Sequence, residues 1–287
     1  MSAPFRPPAA EIRKIALGRG AAACGFVRAG ALPEYERFRI VSENAPPGLG
    51  YLRRFPSPRG DIREWFSGAR SVLMCAFRYW HSGLDHTAAL EKAGEPLAYL
   101  KRTGRRPRPE FIAGVKVLGM RPKISRYALA PDYHEVIRQK LGLMLSDIKA
   151  AYGGAGGRPF TDTSPVMEKE LGRLAGLGFR GKNTLLISGE LGSWFFIGGL
   201  ALTFEIEPES GFGARKTAPG CAACRKCVDA CPTGALKNPG ILDAELCVSY
   251  WTTQAKTRAP DEIVKRSGGY VYGCDICQEV CPYNNSD

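Results

Sequence analysis

Cys221-Ala-Ala-Cys224-Arg-Lys-Cys227-Val-Asp-Ala-Cys231-Pro232 has the spacing C-x2-C-x2-C-x3-C-P, and this run decides how the C-terminal part of the chain is built. A tight loop lets three thiolates converge on one iron-sulfur cubane. The fourth cysteine, beyond a three-residue gap in a short helix, points away to a neighbouring cluster. Downstream come Cys247 and then Cys274-Asp-Ile-Cys277-Gln-Glu-Val-Cys281-Pro282. Exchange of ligands between the motifs closes two full sets. Cys221, Cys224, Cys227 and Cys281 hold one [4Fe-4S] cluster, and Cys231, Cys247, Cys274 and Cys277 hold the other. Two structural zinc sites are the competing reading, since four-cysteine zinc sites also use C-x2-C pairs. Zinc ribbons seldom use this spacing, and two complete sets would then be accidental.

Working outward, the chain has 287 residues and ten cysteines, of which only Cys24 and Cys75 precede position 221. Both lie in apolar surroundings and are expected to be buried and unreactive. Hydrophobic residues make up 44% and charged residues 24%, which excludes a disordered tail, a collagen-like repeat and a small disulfide-stapled scaffold. Met1 to Ala10 has three prolines and no apolar core, so no export signal is readable and the cytosol is the expected compartment. The most apolar stretch, Thr184 to Phe204, contains Glu190 and four glycines; two buried strands joined by a turn fit it better than a membrane span.

Along the chain, Glu11 to Gly20 predicts a short amphipathic helix, and Ala22 to Val27 and Ser71 to Tyr79 predict buried strands. Leu100 to Lys123 carries eight Lys and Arg residues against Glu110 alone and is rich in breakers, so a loop or lid outside the core is expected. Tyr133 to Tyr152 is helical by spacing, with Val136, Leu141, Met144, Leu145 and Ile148 apolar and Asp132 as its cap. Phe160 to Thr163 predicts a short strand and Pro165 to Leu174 a helix with proline in its first turn. The alternation points to an α/β sandwich over residues 1–207. A linker rich in Gly, Pro and charge, Glu207 to Pro219, leads to a bacterial ferredoxin-like α+β domain over 208–287. Two cubanes conduct single electrons and leave the chemistry to a substrate or second cofactor in the larger part.

Outside the clusters, several stretches carry a family likeness: Ile124-Ser-Arg-Tyr-Ala-Leu-Ala-Pro-Asp-Tyr-His134, Phe160-Thr-Asp-Thr-Ser-Pro-Val-Met-Glu168, Ala175-Gly-Leu-Gly-Phe-Arg-Gly-Lys-Asn-Thr184, Leu191-Gly-Ser-Trp-Phe-Phe196 and Cys231-Pro-Thr-Gly-Ala-Leu236. The chain resembles the epoxyqueuosine reductase family, cobalamin and double [4Fe-4S] enzymes that act on tRNA. The resemblance implies reduction of the epoxide of epoxyqueuosine, at the wobble position of a tRNA with a queuosine-type anticodon, to the alkene of queuosine. It also implies that Asp162 is the proton donor. That role requires burial against the corrin to raise the carboxyl well above the ~4 of a free Asp. The plain alternative is an Asx-turn residue in Thr-Asp-Thr-Ser-Pro.

The resemblance further implies base-off cobalamin held by Arg59, Ser125, Asp162, Leu186, Ile197, Ser249, Gly273, Cys274 and Asp275. An exposed arginine and a loop serine are the alternatives for Arg59 and Ser125. A cobalt-ligating histidine is not expected, because Asp132-Tyr-His134-Glu-Val-Ile137 lacks the glycine of D-x-H-x-x-G. Lys182 is either part of this site or a solvated turn residue. Forty Lys and Arg against 28 Asp and Glu give a formal +12, which fits a polyanionic partner. Lys256 looks like a tRNA-contacting lysine of the family, and the Lys101 to Lys123 segment is either a solvated face, an RNA contact or a lid. A low-potential electron donor is implied, with no membrane and a monomeric chain. Long family members continue into a helical-repeat domain, whereas this sequence ends six residues after Cys281, so either a natural short form or a truncated sequence is expected. A reductive dehalogenase-like enzyme and a plain two-cluster electron carrier are the competing functions.

Overall fold

The computed structural model describes residues 6–81, 83–129, 132–207, 220–237 and 240–285. Its strands are β1 (Ala23–Arg28), β2 (Ser71–Arg78), β3 (Lys123–Ile124), β4 (Gly157–Phe160), β5 (Phe179–Arg180), β6 (Leu186–Ile187), β7 (Phe195–Leu202) and β8 (Tyr270–Tyr272). Antiparallel pairing in the order β1-β2-β7-β4 makes the main sheet. Side chains alternate across β2. Leu73, Cys75 and Phe77 enter a core with the helices Ala9–Gly18 and Tyr133–Ala151, while Val72, Met74 and Ala76 enter a second core with the helix Glu168–Leu174. A strand covered on both faces needs apolar residues at every position, which is why Ser71 to Phe77 shows no polar alternation. Gly25 in β1 is required by a close approach: the Ala175 carbonyl, just past the helix Glu168–Leu174, occupies the place of a Cβ.

The predicted first helix, the first two strands and the long helix Tyr133–Ala151 are present within two residues of their expected bounds. Asp132 caps the long helix by accepting from the His134 N–H at 3.0 Å. Val136 does not join its buried face and is 38% exposed. Cys24 and Cys75 are buried partners across β1 and β2. The strand expected to reach Thr163 stops at Phe160, because Asp162 turns the backbone left-handed with φ 37°. The helix expected from Pro165 starts at Glu168. The paired strands expected within Thr184 to Phe204 form, but with other partners: β6 pairs with β5, and β7 lies between β2 and β4. Of the expected linker, residues 208–219 lie outside the described residues.

The segment expected as a loop outside the core is a correction. It contains the helices Pro96–Arg102 and Pro109–Val117, and Leu100, Phe111 and Val115 are at most 1% exposed. These side chains, with Ile124, pack on Val248, Trp251, Ile263, Val264 and Tyr270 in a third core, and β3 pairs in parallel with β8. Lys101, Arg102 and Lys116 are exposed on these helices and the other basic residues lie in the turns beside them and in β3, so the charge that dominates the composition masks an apolar inner face. Among the described residues no helix is long and apolar enough to cross a membrane.

If this segment is core, Phe111→Ala lowers unfolding stability by about 3–5 kcal/mol in denaturant titration. Val117→Ala, at a position 85% exposed, changes it by less than about 0.5 kcal/mol. Equal, small effects for both would return the segment to the status of a loop.

Candidate functional site

The short helices Lys226–Asp229 and Ile276–Glu279 bring the two cysteine motifs against each other. A cavity of about 330 Å³ is lined by Cys221, Cys224, Cys227 and Cys281, which is the first of the two sets closed by spacing. Lys182 grips its rim. Its Nζ donates to the carbonyls of Ala222 at 2.7 Å and Cys224 at 2.8 Å, and its backbone N–H points at Cys221 Sγ at 3.4 Å. The alternative of a solvated turn residue is thereby removed for Lys182. In the second set, Cys274 interacts electrostatically with Cys247 and Cys231, and Cys277 with Cys274 and Cys247. Burial pushes the Cys247, Cys274 and Cys277 thiols up. Thiols so placed ionise only against a cation such as cluster iron. Ala235 N–H donates to Cys231 Sγ at 3.3 Å, the kind of N–H···S contact that tunes a cluster. Cys277 also interacts with Cys227, so the two sets are neighbours. Among the described residues no three His, Cys, Asp or Glu side chains converge as they would on one metal ion. The ring of thiols around a cavity fits a larger polynuclear group.

A second cavity, of about 420 Å³, is lined by Tyr51, Arg59, Asp162, Glu168, Lys169 and Leu186 among others. Three of the expected cobalamin residues, Arg59, Asp162 and Leu186, therefore share one space. Ile197 adjoins it, accepting from Thr161 Oγ1 at 3.0 Å immediately before Asp162. Asp162 was expected to be buried by a corrin and apolar neighbours. In the chain itself its side chain is 57% exposed, and His134 Nε2 lies 2.9 Å from Asp162 Oδ2. His134 Nδ1 lies 2.8 Å from Asp132 Oδ1, and the ring stacks on Tyr133, which stacks on Phe196. Burial lowers the His134 pKa, but the hydrogen bonds to Asp162 and Asp132 outweigh it and the net shift is upward. With a carboxylate facing each ring nitrogen, the imidazole donates to both only when doubly protonated. One proton is thus held between His134 and Asp162 at the cavity's rim.

The remaining expected residues form a second neighbourhood. Ser125 Oγ donates to Asp275 Oδ1, and the Arg126 N–H and guanidinium reach Asp275 Oδ2 at 2.7 and 3.2 Å. Burial raises the Asp275 pKa, opposed by Ser125 and Arg126. Gly273 has φ 68° and leaves no room for a Cβ beside Ser125, so only glycine fits there. Thr252 Oγ1 donates to the carbonyls of Ser249 at 3.2 Å and Gly273 at 3.4 Å, tying both to this neighbourhood next to Cys274. Tyr133 and Tyr127 bridge the two neighbourhoods: Tyr133 interacts with Asp162 and Tyr127, and Tyr127 with Asp275. A macrocycle larger than the 420 Å³ cavity would have to spread over such an area. Lys256 stands apart, exposed after the helix Val248–Thr253. The adjacent Thr257 carbonyl accepts from Arg108 at 3.0 Å, which joins Lys256 to the basic segment.

The sequence alone does not mark His134, Glu168 and Arg126 as members of these two neighbourhoods, where the fold places them. In the sequence His134 reads only as a candidate cobalt ligand. Glu168 closes the stretch Phe160 to Glu168 that contains Asp162, and Arg126 directly follows Ser125, so proximity in sequence is the signal that marks them.

Two family models match the chain: a 4Fe-4S double cluster binding domain over residues 220–284 and epoxyqueuosine reductase QueG, DUF1730, over 59–163. An epoxyqueuosine reductase of Gloeobacter violaceus is 34% identical over 97% of this chain and 76% of its own length. One of Leadbetterella byssophila is 33% identical over 96% and 79%. Among solved structures, epoxyqueuosine reductase from Streptococcus thermophilus superposes with TM-score 0.77 and 29% identity, covering 97% of this chain and 66% of that one. A structure of epoxyqueuosine reductase with an epoxyqueuosine-modified tRNA stem loop gives TM-score 0.69 at 27% identity over 96% and 64%. A B12-dependent reductive dehalogenase, 16% identical with TM-score 0.54 over 100% of this chain and 33% of that one, shares the fold. The chain thus spans about two thirds of the length of these epoxyqueuosine reductase structures.

In anaerobically reconstituted protein, Cys221→Ser and Cys281→Ser, though far apart in sequence, should each remove the same cluster and leave about half the iron. Cys231→Ser and Cys274→Ser should remove the other, distinguishable by its EPR signal. Loss of different clusters by Cys221→Ser and Cys281→Ser would break the proposed ligand exchange.

Proposed function

This chain belongs to the epoxyqueuosine reductase family, and from that premise we propose that it reduces the epoxide of epoxyqueuosine at the tRNA wobble position to the alkene of queuosine. The observation that carries the reading is the Asp162 carboxyl, held by His134 on the rim of a cavity, in a chain whose second cysteine motif carries Asp275 bonded to Ser125. Residues 1–207 supply the catalytic, corrin-binding part, and 208–287 a ferredoxin-like part with two [4Fe-4S] clusters. Electrons enter singly from a low-potential donor.

Base-off cobalamin, when bound, supplies a reducible cobalt centre of high nucleophilicity. Arg59, Asp162, Leu186 and Ile197 would hold it on one side, and Ser125, Ser249, Gly273, Cys274 and Asp275 on the side of the clusters. Asp162 gives a proton to the departing oxygen. His134 orients that carboxyl and returns a proton to it, and Asp132 fixes the ring through its other nitrogen. The left-handed backbone at Asp162 is the strained geometry expected where a side chain must be aimed. Arg108, the basic segment around it and Lys256 form the surface offered to tRNA phosphates, which makes binding salt-dependent. The protein acts as a monomer in the cytoplasm.

Holoenzyme with a low-potential reductant should convert epoxyqueuosine in tRNA to queuosine. Asp162→Asn should abolish turnover with both clusters and the corrin still bound. His134→Gln should lower the rate by about 10²-fold or more, within the usual range for a lost proton-transfer group. An undiminished rate in Asp162→Asn overturns its role.

A further inference from the structure

We propose that Glu168 is a second acid in the cavity of Asp162 and supplies the second of the two protons that the departing oxygen takes up. The inference rests on the epoxide-reduction reading above. Conversion of an epoxide to an alkene breaks two C–O bonds, forms one C=C bond and releases the oxygen as water. Two electrons enter, one at a time through the clusters from the low-potential donor, and two protons go to the oxygen. A carboxylic acid supplies them one at a time, and Asp162 must first be recharged through His134 before it can give another. After the first transfer the oxygen is a hydroxyl leaving group, and a second acid already protonated in the same cavity serves it without waiting for that recharge.

Glu168 is the first residue of the helix Glu168–Leu174 and lines the same cavity as Asp162. Its Oε1 is buried and has no hydrogen-bond partner. A buried carboxylate oxygen without a partner carries the full desolvation penalty, so this position favours the protonated acid. The charged groups around it act in both directions. Burial and then the Asp162 charge push the Glu168 carboxyl up to about 8, against the Asp162 peptide N–H, Lys169 and Arg59. Tyr133, on the long helix, also faces both carboxyls. Near neutral pH the cavity therefore offers a carboxylic acid that retains its proton. Donation from it to an alkoxide or hydroxide is downhill, since those oxygens are far stronger bases than any carboxylate.

Such an acid must be protonated to act. Turnover should fall as pH rises through its pKa of about 8. The test is carried out on holoenzyme with both clusters and cobalamin, using two readouts. First, the infrared carbonyl stretch of a protonated carboxylic acid, isolated as the difference between the parent protein and Glu168→Gln, should persist at neutral pH and disappear around pH 8. Second, Glu168→Gln should slow conversion of epoxyqueuosine tRNA at least about tenfold and lose the alkaline limb, with Glu168→Asp restoring part of both.

A band that disappears in the ordinary carboxyl range, or a Glu168→Gln enzyme with the parent rate and alkaline limb, overturns the assignment. So does a slow Glu168→Gln enzyme whose alkaline limb is intact, which marks a structural role. Failure of the parent holoenzyme to convert the tRNA, with the infrared band behaving as expected, locates the error in the reaction itself and withdraws the second-proton role with it.

Discussion

The buried carboxylate of Asp275 constrains the rest of the molecule. It is fully inaccessible, between Cys274 and Cys277, and a charge in that position is tolerated only with partners of good geometry. The partners come from far upstream: Ser125 Oγ, the Arg126 N–H and the Arg126 guanidinium. Arg126 is itself held between the rings of Trp80 and Trp194, at 5.4 and 4.9 Å from their centroids, and pairs with Glu279 at 2.6 Å. Burial works against its charge, and Glu279 and Asp275 outweigh that penalty. The second cysteine motif therefore cannot take up its place without the segment around residue 125 docked on it. The apolar contacts of Phe111, Val115 and Ile124 with Ile263, Val264 and Tyr270 provide the rest of that attachment.

Much of this was legible in the sequence, for different physical reasons. Cysteine spacing is a local geometric code, so the four thiols around the 330 Å³ cavity form a set that spacing alone could assemble. Strand β2 was legible because an unbroken apolar run has few other uses in a polar-surfaced chain. The segment from Leu100 to Lys123 was not, because its charged residues dominate any average while only Leu100, Phe111 and Val115 mark the buried face. Pairing of β6 with β5 was hidden for another reason: strands of two residues carry no periodicity to detect. The environment of Asp162 was partly legible. A carboxyl in a cavity could be expected, but its partner His134 lies 28 residues away and only the fold brings it there.

Charge is unevenly divided. A [4Fe-4S] core in its 2+ state with four thiolates carries a net −2, so two clusters would lower the formal +12 to roughly +8. The positive excess then belongs to the larger part of the chain, and its densest run is the helical segment whose inner face is apolar. The same residues thus serve two ends of one physical arrangement. Leu100, Phe111 and Val115 anchor the helices inward, and the anchoring keeps Arg108 beside the loop of Lys256. A basic surface fixed to the core in this way presents its charges at defined positions, which a mobile basic tail cannot do.

The stretch from Ile124 to His134 connects these parts. At its start, Ser125 and Arg126 satisfy the buried Asp275 beside the cysteines. At its end, Asp132 caps the long helix and His134 binds Asp162 on the cavity's rim. Tyr127 and Tyr133 fill the space between, each buried far enough that its phenol is pushed well above its ordinary pKa and stays neutral. Neutral, packed rings separate the negative cluster side from the acids without adding charge to either. Ser125 and Arg126 on the cysteine side, and Asp132 and His134 at the Asp162 cavity, thus all come from one short stretch of sequence.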